Sequence, residues 1–376
     1  MNFEFSDEQK FIQEQARAFL GDKCTAAQVR EVLESDLTHH AGLWQQVIEL
    51  GWPATAIPEE YGGLGLGYLE LCVLAEEIGR SLLPAPVSSS IYLATEAIKL
   101  AGTEEQKRAW LPRLAAGEIT GTVAFAELDA SIHKGQVAVE VAGGKISGCK
   151  QPVADATLAD FAVVAARDIA ADNFSLYLLD LSAEGVTRSG VDSLDPSRPL
   201  GKLELKQAPV ELLGGAGEGA VTIDRLLNGA AILLAFEQVG GAEAALNMAR
   251  EYTTGRYAFG RPVASFQAIK HKLADMFVAI ELARANAYYG AWALSTESPE
   301  LPLAAATARV SATEAAWEAT KENIQAHGGM GFTWEFDCHL YYRRAQHLAL
   351  LLGGQRVWKN RLVEQLKPAA SNSHTL

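Results

Sequence analysis

The chain has 376 residues and a formal net charge of -14 at pH 7. So acidic a surface lacks the basic stripe that phosphate neutralisation requires, which excludes nucleic acid and anionic membrane surfaces as partners. No uninterrupted apolar run reaches the roughly 18–20 residues that cross a bilayer, and a chain this long is expected to divide into two or three domains. The opening MNFEFSDEQKF has neither a basic n-region nor a greasy h-region, so it does not read as a signal peptide. Cys24, Cys72, Cys149 and Cys338 are scattered and form no CxxC, which predicts reduced thiols and a cytoplasmic location.

Residues 1–117 read as a helical domain. Ser6 with Gln9 is a capping box for a helix running to about residue 20. LWQQVIELGW and LELCVLAEEIGR carry apolar residues at helical spacing, PEEYGGLGLG (58–67) is a glycine loop, and RSLLPAPVSSS (80–90) reads as a connecting loop. Residues 118–225 change period. QVAVEVAGGKISG alternates around Gly143-Gly144 as a hairpin does, and FAVVAARD, SLYLLDL and KLELK are short strand-like runs. Their spacing predicts a small antiparallel barrel or sandwich. Long helical patterns return over 226–254, 263–295, 302–326 and 338–366, which predicts a C-terminal four-helix bundle within 226–366. Residues 367–376, ending in PAASNSHTL, read as a polar, frayed tail.

Local chemistry is sparse. GxGxxG after a strand, GxxxxGK[ST], HExxH and GxSxG are all absent, and the eight histidines share no ligand spacing, so no metal site is expected. Two glycine-containing segments of the bundle stand out. In GRYAFGRPVASFQAIKHKLADM (255–276), Arg256 ends one helix, Phe259 sits in the turn and Gln267 opens the next helix. In QAHGGMGFTWEFDCHLYYRRA (325–345), Gln325 precedes Gly328 and Gly329, whose bare backbone lets a ligand come close. An arginine, amide side chains and free backbone N–H groups at helix ends suit a pyrophosphate. The same segments also read as two plain interhelical turns with an arginine favoured by the helix dipole.

These two segments closely resemble the bundle signatures of the acyl-CoA dehydrogenases, and IPEEYGGLGLGYLELCVLAEEIGR (57–80) is similar to that family's N-terminal signature. The resemblance covers nearly the whole chain and implies an α+β multidomain fold of N-terminal helices, a middle antiparallel β-barrel and a four-helix bundle. It also implies FAD, an acyl-CoA substrate, a homo- or hetero-oligomer with another acyl-CoA dehydrogenase chain, and electron delivery to an electron-transfer flavoprotein. Family chemistry removes the α-proton with a desolvated carboxylate while hydride leaves the β-carbon for the flavin. One subunit holds the reactive ring, and the neighbour's bundle turns hold the pyrophosphate and adenine. Carried over, Arg256, Phe259, Gln267, Gln325, Gly328 and Gly329 are contacts of this second, outer kind.

The inner half departs from the family pattern. The two positions at which the family carries its base fall on Leu352, before Gly353, and on Ala230, neither of which accepts a proton. The loop that normally touches flavin and substrate is AELDAS (126–131), and the aromatic wall with its hydroxyl is replaced by Lys150, Gln151, Pro152, Val153 and Ala154. An intact outer half with an eroded inner half is what a base-lacking subunit needs in order to complete a partner's flavin site. Such hetero-oligomers occur in the family, notably for bulky ring-bearing acyl chains. Loss of a general base costs on the order of 10²–10⁴-fold in rate. Two alternatives stand beside this. One is a self-sufficient dehydrogenase with a displaced base, for which Glu237 is a weak candidate and Glu127 and Asp129, expected in a solvated loop, are weaker. The other is a flavin-free assembly or regulatory subunit, and the retained outer contacts speak against it.

Overall fold

The computed structural model describes residues 5–128, 130–132 and 135–371. In chain order the helices are α1 (Asp7–Lys23), α2 (Ala26–Leu33), α3 (Ala41–Glu49), α4 (Tyr68–Ser81), α5 (Glu96–Ala101) and α6 (Glu104–Ala115). The strands follow as β1 (Gly121–Ala124), β2 (Glu140–Ala142), β3 (Lys145–Ala154), β4 (Phe161–Asp168), β5 (Asn173–Asp180), β6 (Val186–Val191), β7 (Leu200–Pro209) and β8 (Glu211–Leu212). Then come α7 (Gly219–Gly255), the short pair β9 (Tyr257–Ala258) and β10 (Arg261–Pro262), α8 (Gln267–Ser295), α9 (Leu301–His327), α10 (Cys338–Leu350) and α11 (Gln355–Ser371). The described residues fall into two compact units that do not follow chain order. One comprises Met1–Val29, Tyr68–Leu83 and Ala231–Leu376, and the other comprises Arg30–Gly67 and Pro84–Ala230.

In the first unit the capping box forms as the sequence predicts. Ser6 Oγ accepts from Gln9 N at 3.2 Å and Gln9 Oε1 accepts from Ser6 N at 3.0 Å. Two glycines let α4 and α7 cross at backbone contact: a Cβ on Gly79 would lie 1.8 Å from the Glu237 carbonyl oxygen, and one on Gly240 would lie 1.9 Å from that of Glu76. An ion cluster beside this crossing ties four helices together. Arg17 of α1 donates twice to Glu77 of α4, at 3.0 and 2.7 Å. Arg284 of α8 donates to Glu76 of α4 and to Glu243 of α7, which also accepts from Arg80. Burial pushes the Glu76 carboxyl above its usual range, against the pull of Arg284 and Arg80. By length and composition α7 would cross a bilayer, yet 72% of its most apolar window is buried, as in the central helix of a packed bundle.

The stretch 338–366 is two helices, not one. The chain breaks between α10 and α11, where Gly353 sits at φ +92°, so the C-terminal bundle holds five helices rather than four. Apolar residues continue at helical spacing through the break, which hides it from periodicity. The last helix runs to Ser371, and residues 372–376 lie outside the described residues.

The second unit is built on an eight-stranded sheet ordered β6-β7-β3-β2-β4-β5-β8, with β1 also paired to β4. The expected antiparallel barrel is corrected in two ways. β1 and β2 both pair parallel with β4, so the sheet is mixed, and no pairing joins β6 to β8 among the described residues, so it is not closed by hydrogen bonds. β1 lies along Phe161–Val164 and β2 along Arg167–Asp168, so two short strands share one side of a longer one. β4 is buried from Phe161 to Ala166, which explains its unbroken apolar run. The hairpin at Gly143-Gly144 forms as expected, both glycines at positive φ.

The stretch read as a connecting loop at 80–90 is buried from Leu82 to Ser90, and a π-helix runs from Val87 to Thr95. Its serines are paired inside the unit: Ser88 Oγ accepts from Arg198 (2.8 Å), Ser89 Oγ donates to Asp155 (2.5 Å), and Ser90 Oγ accepts from Gly121 N (3.3 Å). The polar composition that suggests a loop therefore serves a buried hydrogen-bond network.

Candidate functional site

The six residues carried over as outer flavin contacts all lie in the first unit, at one end of the bundle, and all are exposed. Helix α7 ends at Gly255, and Arg256 is held by its own N–H donating to the Tyr252 carbonyl (2.8 Å) and its carbonyl accepting from Val263 N (2.8 Å). Next, β9 and β10 pair around Phe259 (φ +52°) and Gly260 (φ +76°), a tight turn with both central residues left-handed. Phe259 is 95% exposed, with an edge-on contact to Phe266 at 6.2 Å. Arg261 stacks over Phe266 at 4.0 Å, and Gln267 opens α8 beside it. Phe259 is thus a bulky side chain held at positive φ and presented to solvent.

Helix α9 brings the second segment to the same end. Tyr252 of α7 stacks on His327 at 4.1 Å, and Phe336 stands edge-on to Tyr252. His327 Nδ1 donates to the Asn323 carbonyl (2.8 Å), and burial holds the ring below its ordinary pKa. Lys272 near the start of α8 donates to Glu322 near the end of α9. Gln325, Gly328 and Gly329 thus fall at the same end of the bundle as Arg256 and Gln267. Gly328 takes φ +60° and ψ -138°, a conformation open to glycine alone, and a Cβ on Gly329 would meet nothing within 4 Å. The chain's own packing does not require glycine at 329, and its bare backbone stands open to solvent.

The two positions expected from the family pattern to carry a base are both buried. Leu352 is fully buried in the corner between α10 and α11, its carbonyl accepting from Trp358 Nε1 at 3.1 Å. Ala230 is buried in α7. Glu237 is turned into the bundle, with Arg344 Nη1 3.9 Å from its carboxylate. Arg309, fully buried, donates to Gln238 (2.7 Å) and to the Leu348 carbonyl, and burial lowers its pKa to about 10 against the opposing pull of Glu237. Glu237 is thus a buried carboxylate beside two buried arginines.

Glu127 is not in a solvated loop. Its carboxylate accepts from Lys150 Nζ, from Ala138 N (2.7 Å) and from Val139 N (3.3 Å), and both side chains of the ion pair are buried. Burial brings Lys150 down to about 8, with Glu127 working against it. Asp129 lies outside the described residues. At the eroded inner positions Ala126, Pro152 and Ala154 carry no side-chain donor; the Ala126 carbonyl accepts from Gln151 N (2.9 Å) and the Ala154 carbonyl from Thr122 Oγ1 (2.7 Å). Sequence reasoning missed the Lys150–Glu127 pair, because its members lie on different segments of the sheet unit.

Comparison with known proteins shows the family. Models of the acyl-CoA dehydrogenase N-terminal and C-terminal domains match residues 6–118 and 217–367. Acyl-CoA dehydrogenase IpdE2 of Mycobacterium tuberculosis is 32% identical over 96% of this chain and 98% of its own. Among solved structures, a Tcur3481-Tcur3483 steroid ACAD variant superposes with TM-score 0.87 at 30% identity, covering 97% of this chain and 99% of that one. The ChsE4-ChsE5 complex from Mycobacterium tuberculosis superposes with TM-score 0.88 at 25% identity, over 98% and 99%. The chain belongs to the acyl-CoA dehydrogenases, FAD-dependent oxidoreductases that act on a CH–CH bond.

Proposed function

We propose that this chain is the base-lacking subunit of a hetero-oligomeric acyl-CoA dehydrogenase, completing a flavin site whose reactive half belongs to a partner chain. The observation that carries the reading is an asymmetry. Arg256, Phe259, Gln267, Gln325, Gly328 and Gly329 stand exposed at one end of the bundle, while both base positions are buried hydrocarbon, Leu352 and Ala230. Arg256 offers a planar, charged donor to a pyrophosphate, the Gly328-Gly329 backbone offers N–H groups, and Phe259 offers a ring to stack on adenine. Bound FAD supplies the hydride acceptor for oxidation of the acyl chain. Proton abstraction falls to the partner's carboxylate. That relatives and neighbours include a steroid ACAD and a two-chain complex supports a bulky, ring-bearing acyl-CoA as substrate and an unlike chain as partner. An electron-transfer flavoprotein is the proposed electron acceptor, and the cytoplasm the proposed location.

The test is purification of the chain alone and after co-expression with a glutamate-bearing acyl-CoA dehydrogenase chain encoded beside it. Alone it should come off colourless and inactive; paired, it should be yellow and oxidise its acyl-CoA. Arg256→Ala in the pair should weaken flavin retention about tenfold to a hundredfold, the worth of a charge-assisted hydrogen bond. Flavin and dye-linked turnover in the chain alone, abolished by Glu237→Gln, would overturn the proposal.

A further inference from the structure

A cavity of about 340 Å³ lies within the first unit, where the chain turns from α1 into α2 against α4, α7 and α10. Leu20, Val29, Met248 and Leu340 give it an apolar floor. Two polar side chains in its lining spend their hydrogens on backbone. Cys24 Sγ donates to the Ser81 carbonyl at 3.5 Å, and Tyr341 Oη donates to the Arg80 carbonyl at 3.0 Å. Burial pushes the Cys24 thiol up to about 11, so it lines the cavity uncharged. The charged lining comes mainly from α1 and α4. Glu77 is buried and saturated: its Oε1 accepts from Arg17 Nη2 (2.7 Å), and its Oε2 accepts from both Arg17 Nε and Arg80 Nε (3.0 Å each). Arg80 Nη2 is taken by Glu243 (2.9 Å). Nη1 of Arg17 and Nη1 of Arg80 donate to no group among the described residues, although both side chains line the cavity. Asp337 also lines it, at the N-terminus of α10, where the helix dipole offsets its charge.

We propose that this cavity binds a small monocarboxylic acid, its carboxylate received by the unused Nη1 groups of Arg17 and Arg80 and its hydrocarbon body laid on Leu20, Val29, Met248 and Leu340. The volume suits a small molecule. Two guanidiniums that already converge on one oxygen of Glu77 are placed to share a second carboxylate, and a charge-assisted pair of this kind is stronger than a neutral hydrogen bond. An inorganic anion would leave the apolar floor uncovered, and an alcohol would leave the guanidinium charge unanswered. None of the six outer flavin contacts lines the cavity, so the site stands apart from the flavin and holds whether or not the function proposed above does.

Titration calorimetry of the purified full chain with hexanoate, 1-hexanol and hexylamine tests the assignment. Hexanoate should bind about tenfold tighter than 1-hexanol, the margin of a charge-assisted hydrogen bond over a neutral one, and should raise the melting temperature as any ligand of the folded state does. Gly21 lines the cavity, and a Cβ there meets nothing within 4 Å, so Gly21→Leu places its side chain in open space. That variant should keep the parent's circular dichroism and lose hexanoate and 1-hexanol together. Arg17→Met should erase the preference for the acid while 1-hexanol still binds, a split that partial unfolding does not produce. Absence of hexanoate binding overturns the inference, and so does equal affinity for acid and alcohol. A preference for hexylamine overturns it too, since Glu77 and Asp337 then set the sign of the site. Parent-like hexanoate binding in Gly21→Leu places the ligand elsewhere and is equally fatal.

Discussion

Burying Lys150 strips its ammonium of water, and Glu127 restores only part of what is lost, which is why the group falls to about 8 from its ordinary 10.5. Between those two values the unfolded chain holds a proton that the folded chain has released. Stability attributable to Lys150 therefore rises with pH across about 8 to 10.5 and is lost as pH falls through 8. Relative to Lys150→Met, the parent should gain at most about 1.4 kcal/mol per pH unit across that window in urea unfolding. A flat difference between the two proteins would show that the lysine keeps its charge. At this scale the motifs that carry the proposed outer contacts were legible because each is contiguous in the sequence. The environment of Glu127 was not, because a loop carboxylate becomes buried only when a strand far along the chain presents Lys150. Glu237 shows the same limit: the sequence gives an acid on a helix, and only packing against Arg344 and Arg309 assigns it to the interior.

Two helical glycines illustrate how elements are held. Gly79 lets the α7 backbone approach α4, and an added Cβ would strike the Glu237 carbonyl oxygen at 1.8 Å, a rigid backbone atom. Gly21 in α1 has nothing within 4 Å of such a Cβ. Gly79→Ala should therefore destabilise by several kcal/mol, since overpacking against backbone outweighs the roughly 1 kcal/mol that alanine gains in helix propensity. Gly21→Ala should stabilise by up to about 1 kcal/mol. Thermal unfolding of both variants checks the pair, and a neutral Gly79→Ala would contradict the crossing geometry. Elements set by local rules were read correctly from sequence: the Ser6 capping box, the Gly143-Gly144 hairpin and the long α8 and α9 patterns. Those set by distant partners were not. The π-helix at Val87–Thr95 has a loop's composition and a core's burial, and the parallel pairing of β1 and β2 with β4 leaves no local trace.

At the scale of the whole molecule, helices, then strands, then helices were legible in chain order. The compact units were not, because α1 and α4 join the C-terminal helices rather than the segments between them. The proposed division of labour has an arithmetic consequence. A pair of unlike chains offers two inner-plus-outer combinations, and only the partner's inner half joined to this chain's Arg256–Gly329 end is complete. The most direct measurement is the ratio of flavin to protein in the purified complex, by absorbance against quantitative amino-acid analysis. The account predicts one flavin for each pair of unlike chains; one flavin for every chain, in the complex or in this chain by itself, would contradict it.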